Sequence, residues 1–414
     1  MSLSRLLLCS TTLFLSSMLL LSGCGAGADS PESDAELLGA TGETQLTFET
    51  EPLPAASIGG VGVPDGPKPG SPEWIIAEIK RLRREPFSDG IGNDPQKLKA
   101  ARSQRNKEIT KLATEAVALT HQKSDHEQAF NEAVHLLMES RLQLALQGDQ
   151  ESIDALYDDA SSLYQRDATS KAAAEAAFAV ARFAHTNARR FARDEPQWLE
   201  EFARQARIFA TSFPAEETRA VSLLHAAGWS CELHGLTEEA VGCYTLLKEQ
   251  YPQTPQGQQV DSLVRRLTLA GRPLQLAGPT LDGRYVSVDE FRGQPLLVIF
   301  WASDADRFVE TLPELQAVTN QFASVGLKVI GVNLDDEDSE VEAFVSEHKL
   351  AWPQIFYTDP AKRRWASPIA RYYGIRDIPM VWLVDAQGVV VDTQIKPGQL
   401  ESRLSALLNR SAER

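Results

Sequence analysis

The stretch Leu296-Leu297-Val298-Ile299-Phe300-Trp301-Ala302-Ser303-Asp304-Ala305-Asp306-Arg307-Phe308-Val309-Glu310-Thr311-Leu312-Pro313-Glu314-Leu315 decides how the C-terminal third of the chain is read. Its first six residues are an unbroken apolar run with branched and aromatic side chains, the pattern of a strand buried on both faces. Ser303, Asp304 and Asp306 then supply the small and acidic residues of a helix start. Phe308, Val309, Leu312 and Leu315 follow at helical spacing. Asp304 and Asp306 are expected to cap this helix, because free N–H groups and the macrodipole favour carboxylates there. As a catalytic pair they lack a neighbouring histidine or lysine.

Working outward, Leu281–Val288 reads as a hairpin with an Asp282-Gly283 turn. Downstream, Leu327–Leu334 is a second apolar strand and Ser339–His348 a helix. Trp352–Phe356 is extended and is followed by a helix ending near Tyr373. Met380–Val384, a turn at Asp385–Gly388, Val389–Ile395 and a closing helix from Gln399 complete the domain. Strands alternating with helices and ending in a hairpin predict an α/β domain with a mixed sheet over 271–414. The acidic run Asp335-Asp336-Glu337-Asp338 has neither the glycine nor the spacing of a calcium loop and is expected to be solvated.

The quoted stretch resembles the active-site segment of membrane-anchored thioredoxin-like proteins of the TlpA/ResA type, in the AhpC/TSA redoxin superfamily. That family carries Phe-Trp-Ala-Thr-Trp-Cys-x-x-Cys and then Met-Pro-Glu-Leu. Here Phe300, Trp301, Ala302, Ser303, Leu312, Pro313, Glu314 and Leu315 keep the frame. Tyr373-Gly374-Ile375-Arg376-Asp377-Ile378-Pro379, Leu383-Val384-Asp385 and Gly388 are similar to its second half, and Asp282-Gly283 to its entry hairpin. The resemblance implies a thioredoxin fold and makes Pro379 the family's cis-proline. It also implies a groove lined by Trp301, Ile378 and Pro379 that pairs with an extended segment by strand addition; the alternative is that Pro379 survives only to shape the turn. The two cysteine positions hold Ala305 and Phe308. Redox exchange needs a thiolate at the helix start and a second thiol to resolve the mixed disulfide. The expectation is therefore a redox-inactive binding or scaffold module with no catalytic residue, cofactor or metal. The alternative is the thiol-disulfide oxidoreductase or peroxide reductase that the superfamily implies.

Residues 71–270 read as helices at roughly 94–122, 125–147, 150–165, 169–191, 196–212, 216–233, 237–251 and 256–269, after a start at Ser71-Pro72. Paired helices at this spacing predict an α-helical repeat domain. Ala220–Pro252 resembles a tetratricopeptide unit, with Gly228, Gly235, Ala240, Tyr244 and Pro252 at its small, small, small, aromatic and proline positions. The fold class is thus a TPR-like helical domain followed by a thioredoxin-fold α/β domain. Cys231 and Cys243 lie on the two helices of that unit. They are either a disulfide, if their Cα atoms come within about 7 Å, or two buried small apolar residues. His121, His126 and His135 lack metal-ligand spacing and read as ordinary helix residues.

The first 23 residues read as a signal peptide: Arg5, an apolar run Leu6–Leu21, then Leu21-Ser22-Gly23-Cys24, which resembles the bacterial lipobox. The run is short for a span and carries several hydroxyls, which disfavours a retained transmembrane helix. The resemblance implies cleavage before Cys24, lipidation of that cysteine and loss of Cys9. With Gly25 following, it implies a lipid-anchored envelope protein at the outer membrane, facing the periplasm. Residues 24–70 are acidic and rich in Gly, Pro, Ser and Ala, and read as a disordered tether reaching roughly 40 Å. Four cysteines in 414 residues exclude a disulfide scaffold. A net charge of −16 argues against a nucleic-acid partner. The expected partners are the membrane, through Cys24, and an envelope protein or peptide.

Overall fold

The computed structural model describes residues 66–87, 94–121, 124–395 and 398–412. The signal peptide, Cys9, Cys24 and nearly all of the tether lie outside the described residues. Among the described residues, one compact unit ends at Leu246 and a second begins at Leu247. No described helix is long and apolar enough to cross a membrane.

The first unit is helical. Its elements are α1 (Pro72–Arg84), α2 (Pro95–Thr120), α3 (Glu127–Ala145), α4 (Gln150–Arg166), α5 (Lys171–Phe191), α6 (Gln197–Ser212), α7 (Glu217–Leu233) and the start of α8 (Thr237–Gln250). Four of these starts are written in the sequence. The side chains of Ser71, Asp94, Asp149 and Ser170 accept hydrogen bonds from the free N–H groups of the first turn, and Pro72 and Pro95 open α1 and α2. α5 packs against α3, α4, α6 and α7. Its stripe of Ala172, Ala173, Ala176, Ala181, Ala184 and Ala188 is buried, as close approach on several sides requires. Gly228 serves the same end: a Cβ there would lie 2.5 Å from the Tyr244 ring. The Tyr244 hydroxyl donates to Glu232, 3.1 Å away.

The second unit opens with α9 (Pro255–Leu267), capped by Thr254. α9, read from sequence as the last helix of the array, packs on a short helix of the α/β domain, α12 (Pro368–Tyr373). Arg265 donates to the Tyr372 carbonyl and lies over the Tyr372 ring. A hairpin, β1 (Ala277–Pro279) with β2 (Tyr285–Ser287), precedes the main sheet. That sheet contains β3 (Leu296–Trp301), β4 (Lys328–Asn333), β5 (Gln354–Ile355), β6 (Met380–Val384) and β7 (Val390–Asp392) in the order β5-β4-β3-β6-β7. β4 runs parallel to β3 and β5, whereas β6 is antiparallel to β3 and β7. Helices α10 (Asp306–Phe322), α11 (Asp338–Glu347) and α13 (Leu400–Ala412) complete the element order. Every residue of β3 is buried, as its sequence required. Alternate residues serve two cores: Val298 and Phe300 join Trp382 and Tyr373, while Leu297, Ile299 and Trp301 join Phe308, Leu312 and Leu383.

Candidate binding site at the start of helix α10

Residues 302–305 carry the chain from the end of β3 into α10. Because β3 and β4 are parallel, their C-terminal ends lie side by side, and the turn is tied to the segment after β4. Asp335 is buried and accepts from the Ser303 amide at 2.7 Å, the Ser303 hydroxyl at 3.0 Å and the Asn333 amide at 2.6 Å. Three donors are what a buried carboxylate needs. Asp336, Glu337 and Asp338 of the acidic run are exposed, as its composition suggested, but Asp335 is not. The run's first member is a structural brace, and its second is held by an arginine.

That arginine is Arg364. Its Nη2 donates to Asp304 at 2.6 Å and its Nε to Asp336 at 2.7 Å, so one guanidinium clamps the turn to the segment after β4. The two carboxylates raise its already high pKa, Asp304 contributing the larger effect. Arg364 occupies the left-handed region at φ 48°, rare for a residue with a side chain. Its neighbour Arg363 is buried over the Phe356 ring and donates to the carbonyls of Tyr357, Thr358 and Asp336. On the other side, Arg307 lies 3.5 Å from Asp377.

Asp304 and Asp306 do not cap α10. The N-cap residue is Ala305, which offers no side-chain hydrogen bond. The pull of the Arg364 guanidinium outweighs that of the helix N–H groups for Asp304, and Asp306 stands inside the first turn. Phe308 is fully buried, stacked on Trp301 with ring centroids 4.8 Å apart and against Phe344 at 5.8 Å. The Trp301 indole N–H donates to Gln354 at 3.0 Å. Gly331 on β4 makes that possible, since a Cβ there would lie 1.8 Å from the Gln354 oxygen. Trp301 therefore does not line a groove with Ile378. It is sealed in the core on one face of the sheet, while Ile378 packs against the core on the other. Strand alternation, not proximity in the motif, decides this.

The Ile378–Pro379 peptide is cis. Both residues are half-buried, and Met380 begins the pairing of β6 with β3. Among the described residues, the amides of Asp377 and Ile378 enter no backbone hydrogen bond. These unpaired amides lie at a bend just before β6, and free main-chain groups of this kind are what strand addition uses. No cysteine lies between Arg272 and Arg414.

Cys231 and Cys243 belong to the helical unit, where both are buried and unbridged. The Cys231 thiol faces the Leu199 carbonyl and the Cys243 thiol that of Ala203. Burial pushes Cys231 up to about 12 and Cys243 up to about 11, so both behave as small core residues rather than nucleophiles. His135 pairs with Glu175, and His121 and His126 stand near Ala118 and Glu73. No cluster of described His, Cys, Asp or Glu side chains is arranged to hold a metal. Sequence reasoning missed the Asp304–Arg364–Asp336 clamp. No periodicity links residue 364 to residue 304; only an arginine beside two tight turns hinted at it.

Residues 272–393 match the model of the AhpC/TSA family. The thiol-disulfide oxidoreductase ResA of Bacillus thuringiensis subsp. konkukian is 22% identical over 130 residues, 31% of this chain and 70% of the relative. The sporulation thiol-disulfide oxidoreductase A of Bacillus subtilis is 26% identical over 121 residues, 28% of this chain and 68% of the relative. Among solved structures, the thioredoxin domain of a thiol-disulfide oxidoreductase from Bacteroides vulgatus is 24% identical. It covers 33% of this chain and 96% of its own, with a TM-score of 0.30.

Proposed function

On the premise that residues 272–393 form an AhpC/TSA thioredoxin-like domain of the ResA/TlpA type behind a helical region, we propose that this chain is a redox-inactive, envelope-anchored binding protein. One observation carries the reading. Where a thioredoxin fold places its nucleophile, at the start of α10, this chain has Ala305, and the partner position holds a fully buried Phe308. A methyl group neither attacks a disulfide nor accepts electrons. The recognition backbone at Asp377 and Ile378 remains open, flanked by the Arg364 and Arg307 links. Its occupant is an extended segment of another envelope protein, held by main-chain hydrogen bonds beside Pro379. Cys24, within Leu21-Ser22-Gly23-Cys24, is the lipid attachment that retains the protein at the periplasmic face of the outer membrane.

A photocrosslinking amino acid at Ile378 in the lipidated protein tests the binding reading in cells. Discrete crosslinked species are expected from position 378 and not from exposed Tyr285. The absence of any species specific to position 378 contradicts the reading. Cys24→Ala is expected to release the chain from the membrane fraction; retention of that variant overturns the lipid anchor.

A further inference from the structure

The chain as a whole is strongly acidic, yet one short stretch is basic. Between Lys80 and Lys111 stand ten Lys and Arg residues against four Asp and Glu, in a protein of net charge −16. The structure gathers this charge. Arg105 donates to the Glu85 carbonyl at 2.6 Å and lies 3.7 Å over the Phe87 ring, which sets the C-terminal end of α1 beside the early turns of α2. Arg83, Arg84, Lys99 and Arg102 are all exposed at this end of the helical unit, and none of them makes an ion pair among the described residues.

Other basic side chains nearby are already committed. Arg81 is held by Glu78 and Glu85, and Lys80 by Glu132. The unpaired four are thus a surplus rather than a solvated ion-pair lattice. Trp74, Ala77, Arg81 and Arg84 share the outward stripe of α1, with Trp74 37% exposed in the first turn. Trp74 stands about three turns from Arg84 and is no part of this cluster; exposed cations gathered at the other end of α1 suit an anionic membrane surface, where guanidinium and ammonium groups meet phosphates.

We propose that the end of the helical unit formed by Arg83, Arg84, Lys99 and Arg102 docks on the anionic phospholipid surface of a membrane. The surface needs no acyl chain. It draws on the anchored reading only for where the protein resides, since α1 begins directly after the segment that Cys24 would tie to lipid. Acidic charge over the rest of the chain orients the approach by repulsion from the same surface.

The test is vesicle flotation of residues 24–414 carrying Cys24→Ala. It uses vesicles of phosphatidylcholine alone and of an equimolar mixture with phosphatidylglycerol. Binding to the mixed vesicles is expected to exceed binding to the neutral ones by about tenfold at low salt, and to vanish near 0.5 M salt, where the Debye length is only about 4–5 Å. Reversal of Arg83, Arg84, Lys99 and Arg102 to Glu is expected to reduce it to the neutral-vesicle level. The milder pair Lys99→Gln and Arg102→Gln should fall between. Circular dichroism checks that both variants keep their helices. Equal binding to both vesicle types overturns the proposal, as does anionic binding that survives either set of substitutions. Residue 24 bears no lipid in this form, so failure here leaves the anchor untouched. Fatty-acid labelling of the wild-type chain in cells reads that anchor separately.

Discussion

Phe308 stands in the first turn of α10. It fills a slot between Trp301 and Phe344 with no exposed surface, so the position contributes packing. Phe308→Ala should cost about 3–5 kcal/mol, read as an earlier urea transition of the α/β domain by tryptophan fluorescence. Arg364 makes a different wager: two short ion pairs held by a left-handed backbone. Arg364→Ala loses the clamp and keeps the unfavourable φ. Arg364→Gly loses the clamp but relaxes the backbone, and is expected to be the more stable of the two by about 1 kcal/mol. Equal melting temperatures for the two variants would show that the backbone is unstrained. The absence of thiols was legible from residues alone. The clamp was not, because the two carboxylates and the arginine that joins them lie about 30 and 60 positions apart.

At the scale of elements, the sequence disclosed helices and strands well wherever periodicity and punctuation agreed. β3, α10, β6 and the capped helices at Ser71, Asp94, Asp149 and Ser170 belong to that group. β7 is shorter than its apolar run, three residues ending at Asp392. The allegiance of α9 was hidden because amphipathicity marks which face is buried, not against what. Ties between helices were hidden for the same reason. Glu175 on α5 accepts from His135 on α3 at 3.0 Å and pairs with Arg219 on α7 at 2.6 Å, and the guanidinium lies over Phe178. Burial alone would raise the Glu175 pKa, but the His135 hydrogen bond and Arg219 more than reverse this and hold it at about 2, below its ordinary 4.5. A carboxylate depressed by folding stabilises the native state fully above its unfolded pKa and loses that contribution as pH falls towards the folded value. The helical unit should therefore lose melting temperature between about pH 4.5 and pH 2. Glu175→Gln should flatten that slope and lower the plateau near neutral pH, as followed by circular dichroism. An unchanged slope would place the acid sensitivity elsewhere.

For the whole molecule, the account rests on a thioredoxin-like domain that contains no cysteine between Arg272 and Arg414. The cysteines at 231 and 243 are buried thiols in the other unit, each facing a backbone carbonyl. The family frame was readable across 272–393 because strand, turn and helix signals agree there with the motif residues. The fate of Trp301 was not, since a motif states neighbours in sequence while the sheet sorts them onto opposite faces. The decisive measurement is reductant-driven insulin reduction by residues 24–414 with Cys24→Ala, alone and with Cys231→Ser and Cys243→Ser added. The account predicts the uncatalysed rate in both. Catalysed turnover by either form, above all by the one containing no thiol, would contradict it.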